Sequence, residues 1–172
     1  MGHTPTMSDQ PLEMTPSSTR CEMTWIVMPS QANSIGTVFG GQVAAWIDVC
    51  AAVAAQRFCR AQVVTAAMDS LIFRGPILQG QIAVLRGQVN WAGRSSMEVG
   101  VRVEAEDPKT GVRLHTSSAY LTFVALDEDR VRLQVPTLHL ENEVDERRWQ
   151  DACERREVRL AARERDRQRQ HP

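Results

Sequence analysis

One carboxylate stands inside the most apolar stretch of the chain. Between Glu22 and Asp69 the only acidic residue is Asp48, set within "GTVFGGQVAAWIDVCAAVAA". An acid among Trp46, Ile47, Val49 and Cys50 is costly to bury unpaired, so it either reaches a polar seam or performs chemistry. Burial would also raise its pKa, which suits a general base. The plainer alternative is a helix acid paired with an Arg or a backbone donor. Gly40-Gly41 opens the same stretch. A helix N-terminus presents free N–H groups and the positive end of its dipole, and glycine lets another group approach those amides closely. Such a site can stabilise a developing oxyanion, although a glycine pair also makes an ordinary helix-starting turn.

Spacing turns the two features into a constraint. Gly40 and Asp48 are eight positions apart, a rise of about 12 Å along an α-helix. One carbonyl cannot touch both. If both serve one reaction, they come from two chains whose helices run antiparallel. Asn33, in the loop before the helix, is a third candidate, because a side-chain amide can orient a water or a carbonyl. Alone it is an ordinary loop Asn.

The elements that must position these groups follow from periodicity. A short strand is expected around Met23–Met28, stopped by Pro29, then a polar loop and a helix from about Gly41 to Arg57. "AQVVTAAMDSLIFRGPI" reads as a strand ended by Gly75-Pro76, and "GQIAVLRGQVNWAG" as the next. In "SSMEVGVRVEAEDPKTG", Met97, Val99, Val101, Val103 and Ala105 alternate with Glu98, Gly100, Arg102 and Glu104. That period of two predicts a strand with one buried face. "VRLHTSSAYLTFVAL" returns as a last long strand, and strands joined by tight turns pair antiparallel. The fold class is therefore α+β, an antiparallel sheet wrapped around one long helix. A five-stranded sheet leaves open edges and apolar surface, which predicts a dimer or larger oligomer.

The ends differ from the core. Residues 1–20, rich in Pro, Ser and Thr, read as a disordered arm without a secretory signal. From Glu141 to Gln170, nine Arg interleave with nine acids, which predicts a helix laced with i,i+4 ion pairs. It serves either as a solvated helix packed lightly on the domain or as a lid or partner for anionic phosphates.

Composition removes several classes. A net charge of −1 gives no reason to expect nucleic acid or an anionic membrane as partner. Cys21, Cys50, Cys59 and Cys153 are scattered without a CxxC pair, which predicts reduced, packed thiols in the cytoplasm. The apolar run carries a charge mid-way, so a soluble helix is expected, not a membrane span. His3, His115, His139 and His171 show no metal-ligand spacing, and no P-loop, Rossmann or G-x-S-x-G pattern occurs. No metal or cofactor is expected.

"MPSQANSIGTVFGGQVAAWIDVCAA" resembles the hotdog-fold acyl-CoA thioesterases, in the branch of the YciA-like bacterial enzymes and the cytosolic acyl-CoA hydrolases. "VVTAAMDSLIFRGPI" and "GRSSMEVGVRVEAED" are similar to the same family, so the likeness runs from Thr24 to Ala125. It implies a hotdog domain over 21–136, followed by a charged C-terminal helix over 137–172. It further implies dimers, often assembled as hexamers, and cleavage of acyl-CoA to coenzyme A and a carboxylic acid. By position, Asp48 matches the catalytic carboxylate, Asn33 the catalytic Asn and Gly40 the amide that polarises the thioester. Whether the carboxylate activates water or attacks to form an anhydride stays open. Arg94, Ser95 and Ser96 match residues holding the coenzyme A nucleotide, and Val64 and Thr65 lie along the pantetheine arm. The basic residue often found before the strand-ending proline is here Gly75, with Arg74 one place earlier. Phe39 replaces the histidine of the aromatic thioesterase branch, which favours fatty acyl substrates. A non-catalytic acyl-CoA sensor is the main alternative. A hotdog dehydratase lacks its His-plus-Asp pattern here.

Overall fold

The computed structural model describes residues 13–170. A long helix α1 (Gly40–Cys59) lies on a five-stranded antiparallel sheet of order β2-β4-β5-β6-β3. The strands are β2 (Cys21–Ile26), β3 (Gln62–Phe73), β4 (Ile82–Ala92), β5 (Ser96–Glu106) and β6 (Arg113–Leu126). A small parallel pair, β1 (Glu13–Met14) with β7 (Thr137–Leu138), and a C-terminal helix α2 (Glu143–Gln170) complete the chain. This is the sheet-around-helix architecture that the alternation and the apolar run predict.

Helix α1 is apolar nearly all round, yet only one stripe is buried. Val43, Trp46, Ile47, Cys50, Ala51, Ala54, Ala55 and Phe58 form the core face at helical spacing. Ala45 and Val49 stay exposed, and Arg60, left-handed at φ 53°, closes the helix. The buried side of β5 is the alternating set Met97, Val99, Val101, Val103 and Ala105. Strands β4, β5 and β6 pair in sequence through tight turns, as expected. Strand β3 instead crosses to the far side of the sheet and pairs with β6, leaving an edge where Val64, Met68 and Ile72 are exposed. Among the described residues, no helix is long and apolar enough to cross a membrane.

Three expectations change. The expected disordered arm lies outside the described residues for 1–12, but 13–20 are built into the fold. Thr19 is fully buried, and its hydroxyl accepts from the Val89 amide at 3.0 Å and donates to the Pro16 carbonyl at 2.7 Å. Polar composition hid this burial because the hydroxyl finds both partners. Helix α2 starts two residues later than expected, because Asn142 caps it by accepting from the Val144 and Asp145 amides. Nor is α2 laced with i,i+4 ion pairs: its described internal pairs, Arg148–Asp145 and Arg167–Glu164, are both i,i+3.

Two of its arginines reach the sheet. Arg155 forks onto the Glu98 carboxylate at 2.7 and 3.1 Å and lies over the Tyr120 ring at 3.6 Å. Arg159 pairs with Asp69, which also accepts from Thr122. Glu98, on the polar side of the alternation, is therefore buried.

Arg155→Ala would strand the buried Glu98 carboxylate and is expected to cost about 3 kcal/mol in urea unfolding. Adding Glu98→Gln should recover much of that loss. The thiols also differ in reactivity. Burial, reinforced by Cys21, pushes the Cys50 thiol up to about 12. At pH 8, native alkylation of Cys50 should run at least ~1000-fold slower than that of a free thiol, read by mass spectrometry of the labelled peptides.

Candidate active site

Helical spacing places Trp46, Ile47 and Cys50 on the core face of α1 and Asp48 at its flank, where it is half-buried. The expected enclosure of the acid by those side chains does not occur within one chain. Its partner is Thr65 on the edge strand β3, whose hydroxyl donates to Asp48 Oδ1 at 2.7 Å. The bond leaves Asp48 Oδ2 with no hydrogen-bond partner among the described residues. Carboxylate and edge-strand hydroxyl thus stand together at the flank of the helix.

The β4–β5 turn lies toward the same end of the sheet. Ser96 aligns with Val124 on β6, and Val124 with Val64 on β3. The turn is braced by Gly93 N donating to the Ser96 carbonyl at 2.8 Å and by Ala125 N donating to the Ser95 carbonyl at 3.1 Å. Arg94 is exposed, and no acid pairs with it among the described residues.

The other candidates gather elsewhere. Gly40 begins α1, and Phe39 caps it with no side-chain hydrogen bond. The Phe39 carbonyl accepts from the Gln42 and Val43 amides, and the Gly40 and Gly41 amides find no acceptor among the described residues. Gly40 lines a cleft of about 410 Å³ with Thr37, Val43, Phe73, Arg74 and Ser117. A Cβ on Gly41 would meet nothing within 4 Å, so nothing in this chain demands that glycine. Asp48 and Thr65 are not among the residues that line this cleft.

Asn33 does not point to either group. Its Oδ1 accepts from the amides of Ile35 and Thr37, each at 3.1 Å, and its Nδ2 donates to Thr37 Oγ1 at 2.8 Å. Within one chain it shapes the loop that delivers Thr37 to the cleft. Sequence reasoning missed Thr37, Phe73 and Ser117 as cleft residues, and it placed Thr65 without seeing its bond to Asp48. Strand parity alone could have put Ser117 on the inner face with Ala119 and Leu121.

The thioesterase superfamily model matches residues 35–112. The chain is 36% identical to an acyl-CoA hydrolase from Staphylococcus aureus, solved with butyryl coenzyme A, coenzyme A and coenzyme A disulfide. The TM-score is 0.85, over 91% of this chain and 96% of that one. Solved variants of that enzyme replace an aspartate, a threonine and an asparagine with alanine. An apo-hexameric acyl-CoA thioesterase is 37% identical, with a TM-score of 0.84 over 87% of this chain and 96% of that one. Mouse acyl-coenzyme A thioesterase 11 is 41% identical over 144 residues, 83% of this chain. The chain spans about a quarter of the length of that relative.

Asn33→Ala would leave two backbone amides without their acceptor. It is expected to lower stability by about 1–2 kcal/mol, seen as a fall in Tm of a few degrees by calorimetry.

Proposed function

The chain belongs to the thioesterase superfamily, and on that footing we propose that it hydrolyses acyl-CoA to coenzyme A and a carboxylic acid at a site shared by two copies. One observation carries the reading: the carboxylate half and the amide half are each built within one chain, yet lie too far apart to act together in it. The exposed stripe of α1 and the apolar β3 edge offer the surface along which a second copy can supply the missing half.

The chemistry follows from the parts. The Gly40 amide of one copy polarises the thioester carbonyl. Asp48 of the partner subunit, held by its Thr65, takes a proton from water as the water oxygen attacks the carbonyl carbon. The tetrahedral intermediate collapses, the C–S bond breaks, and the coenzyme A thiolate leaves and takes up a proton. Arg94, Ser95 and Ser96 grip nucleotide phosphate, the guanidinium as a fork and the hydroxyls and turn amides beside it. Val64 and Thr65 flank the pantetheine arm, and Arg74 stands at the mouth of the cleft beside Gly40.

The positions replaced in the Staphylococcus aureus enzyme support this assignment. Its asparagine and aspartate are 15 positions apart, and its aspartate and threonine 17. Asn33, Asp48 and Thr65 repeat both intervals in this chain. The likeness to a hexameric thioesterase supports a dimer assembled as a trimer of dimers. The reaction as written needs neither metal nor redox cofactor, and the free thiols suit a cytoplasmic protein.

The test is release of free thiol from acyl-CoAs of graded chain length. Asp48→Ala should lower kcat by about 10²–10⁴-fold, and Thr65→Val by a smaller factor. Binding of every acyl-CoA without turnover would leave an acyl-CoA sensor in place of an enzyme. Full activity in Asp48→Ala would remove the carboxylate from the mechanism, and full activity in a monomer would remove the shared site.

A further inference from the structure

A second cavity lies away from Asp48 and Gly40, on the outer face of the sheet. It measures about 660 Å³, within the roughly 300–1,000 Å³ of small-ligand sites. Asn90, Gly100 and Tyr120 of strands β4, β5 and β6 line it together with Arg20, Arg102 and Arg148. Gly100 and Tyr120 alternate with the inward-facing Val99, Val101 and Leu121, which places them on the side away from α1.

The floor holds a neutral polar group. Asn90 is 4% exposed and its side-chain amide makes no hydrogen bond among the described residues, yet its atoms are not sealed from solvent and open on the cavity. An amide open on one side to a cavity and otherwise enclosed can donate to a ligand seated there. Its neighbour makes room for that ligand. A Cβ on Gly100 would stand 2.5 Å from Asn90 Nδ2 and 3.4 Å from the Tyr120 ring. Glycine at this position keeps the amide in place and the cavity floor open.

Charge gives the ligand its class. Arg86, also on the lining, is committed to Glu22 and Glu104, and Arg102 to Glu104. Arg20 forms no salt bridge among the described residues: its guanidinium meets Gln88 Oε1 at 3.4 Å and lies near enough to the Glu141 carboxylate to help lower that acid's pKa. Arg148 has one distant partner, Asp145, at 3.7 Å. Two guanidiniums are thus loosely held above a neutral amide donor, and Glu22 is the one acid on the lining. Guanidinium forks with a neutral donor between them suit phosphate oxygens.

We propose that this cavity binds a small phosphate-bearing anion at a site separate from the acyl-CoA cleft. The Asn90 amide donates to one phosphate oxygen, and Arg20 and Arg148 fork onto others. The site gives the Arg-rich C-terminal helix a role at an anion, through Arg148 at its first turns.

Isothermal titration with inorganic pyrophosphate tests it on four proteins: wild type, Asn90→Leu, Arg148→Glu and Arg94→Ala. Wild type and Arg94→Ala should bind alike. Asn90→Leu and Arg148→Glu should each weaken binding by at least about 10-fold. Arg148 is partly exposed on a helix surface, so its variant tests the site without disturbing the core. KM for acyl-CoA should be unchanged in Arg148→Glu. Absence of binding to wild type overturns the proposal. So does binding lost in Arg94→Ala but kept in Arg148→Glu, which would put the anion at the coenzyme A half-site. A rise in KM that tracks the loss of pyrophosphate binding in Arg148→Glu would also refute a separate site. Failure of acyl-CoA hydrolysis leaves the titration readable, so the two proposals fall independently.

Discussion

The close seating of α1 on the sheet is the constraint from which the rest follows. Ala51, Ala54 and Ala55 are fully buried at the contact, and Gly87 faces Cys50 so closely that a Cβ there would stand 3.2 Å from its Sγ. Small residues on both sides let the two backbones approach. A helix gripped along its length cannot bend to bring its first turn to its middle. The rise between Gly40 and Asp48 is therefore fixed, and neither group can move to the other. The packing that stabilises the fold also keeps these two groups apart.

The outer face of the sheet follows a different logic. There the side chains are charged, and α2 covers part of them. Glu98 and Asp69 are kept off water by Arg155 and Arg159, spaced one helical turn apart, so the same face of α2 delivers both. Asp145 and Ala152, on the helix itself, are buried as well. These arginines pin α2 in place and fix where Arg148 stands. Salt bridges in the middle of the helix thereby help to place Arg148 on the wall of the cavity.

Much of this was legible in the sequence, for definite physical reasons. Period two exposed the core face of β5, and an alanine-rich run exposed α1. The helical rise alone separated Gly40 from Asp48. What escaped detection depends on tertiary docking. Glu98 alternates as a solvent-facing residue, and only the arrival of Arg155 makes it a buried one. The crossover of β3 to the far edge is set by closure of the sheet, which leaves no mark on local pattern. Thr19 belongs by composition to a loose arm, but its hydroxyl substitutes for a missing strand partner at Val89. The bond between Thr65 and Asp48 joins an edge strand to a helix flank, two places that no single periodicity relates.

Asn33 shows how a loop side chain leads into the start of the helix. Its Oδ1 is used by two backbone amides and one Nδ2 proton by Thr37, so most of its bonding capacity is spent on the loop. That loop ends by setting Phe39, whose amide donates to the Gln31 carbonyl at 3.2 Å. The Phe39 carbonyl then accepts the first helical amides, from Gln42 and Val43. The two amides passed over are those of Gly40 and Gly41, the ones an oxyanion needs. The side chain of Asn33 thus holds the loop that leads into this helix start, whose first amides are free as at any helix N-terminus. A second N–H on Nδ2 is still unspent, available to a water or a carbonyl brought by a second copy. Building the loop thus leaves Asn33 one N–H for the role proposed for it.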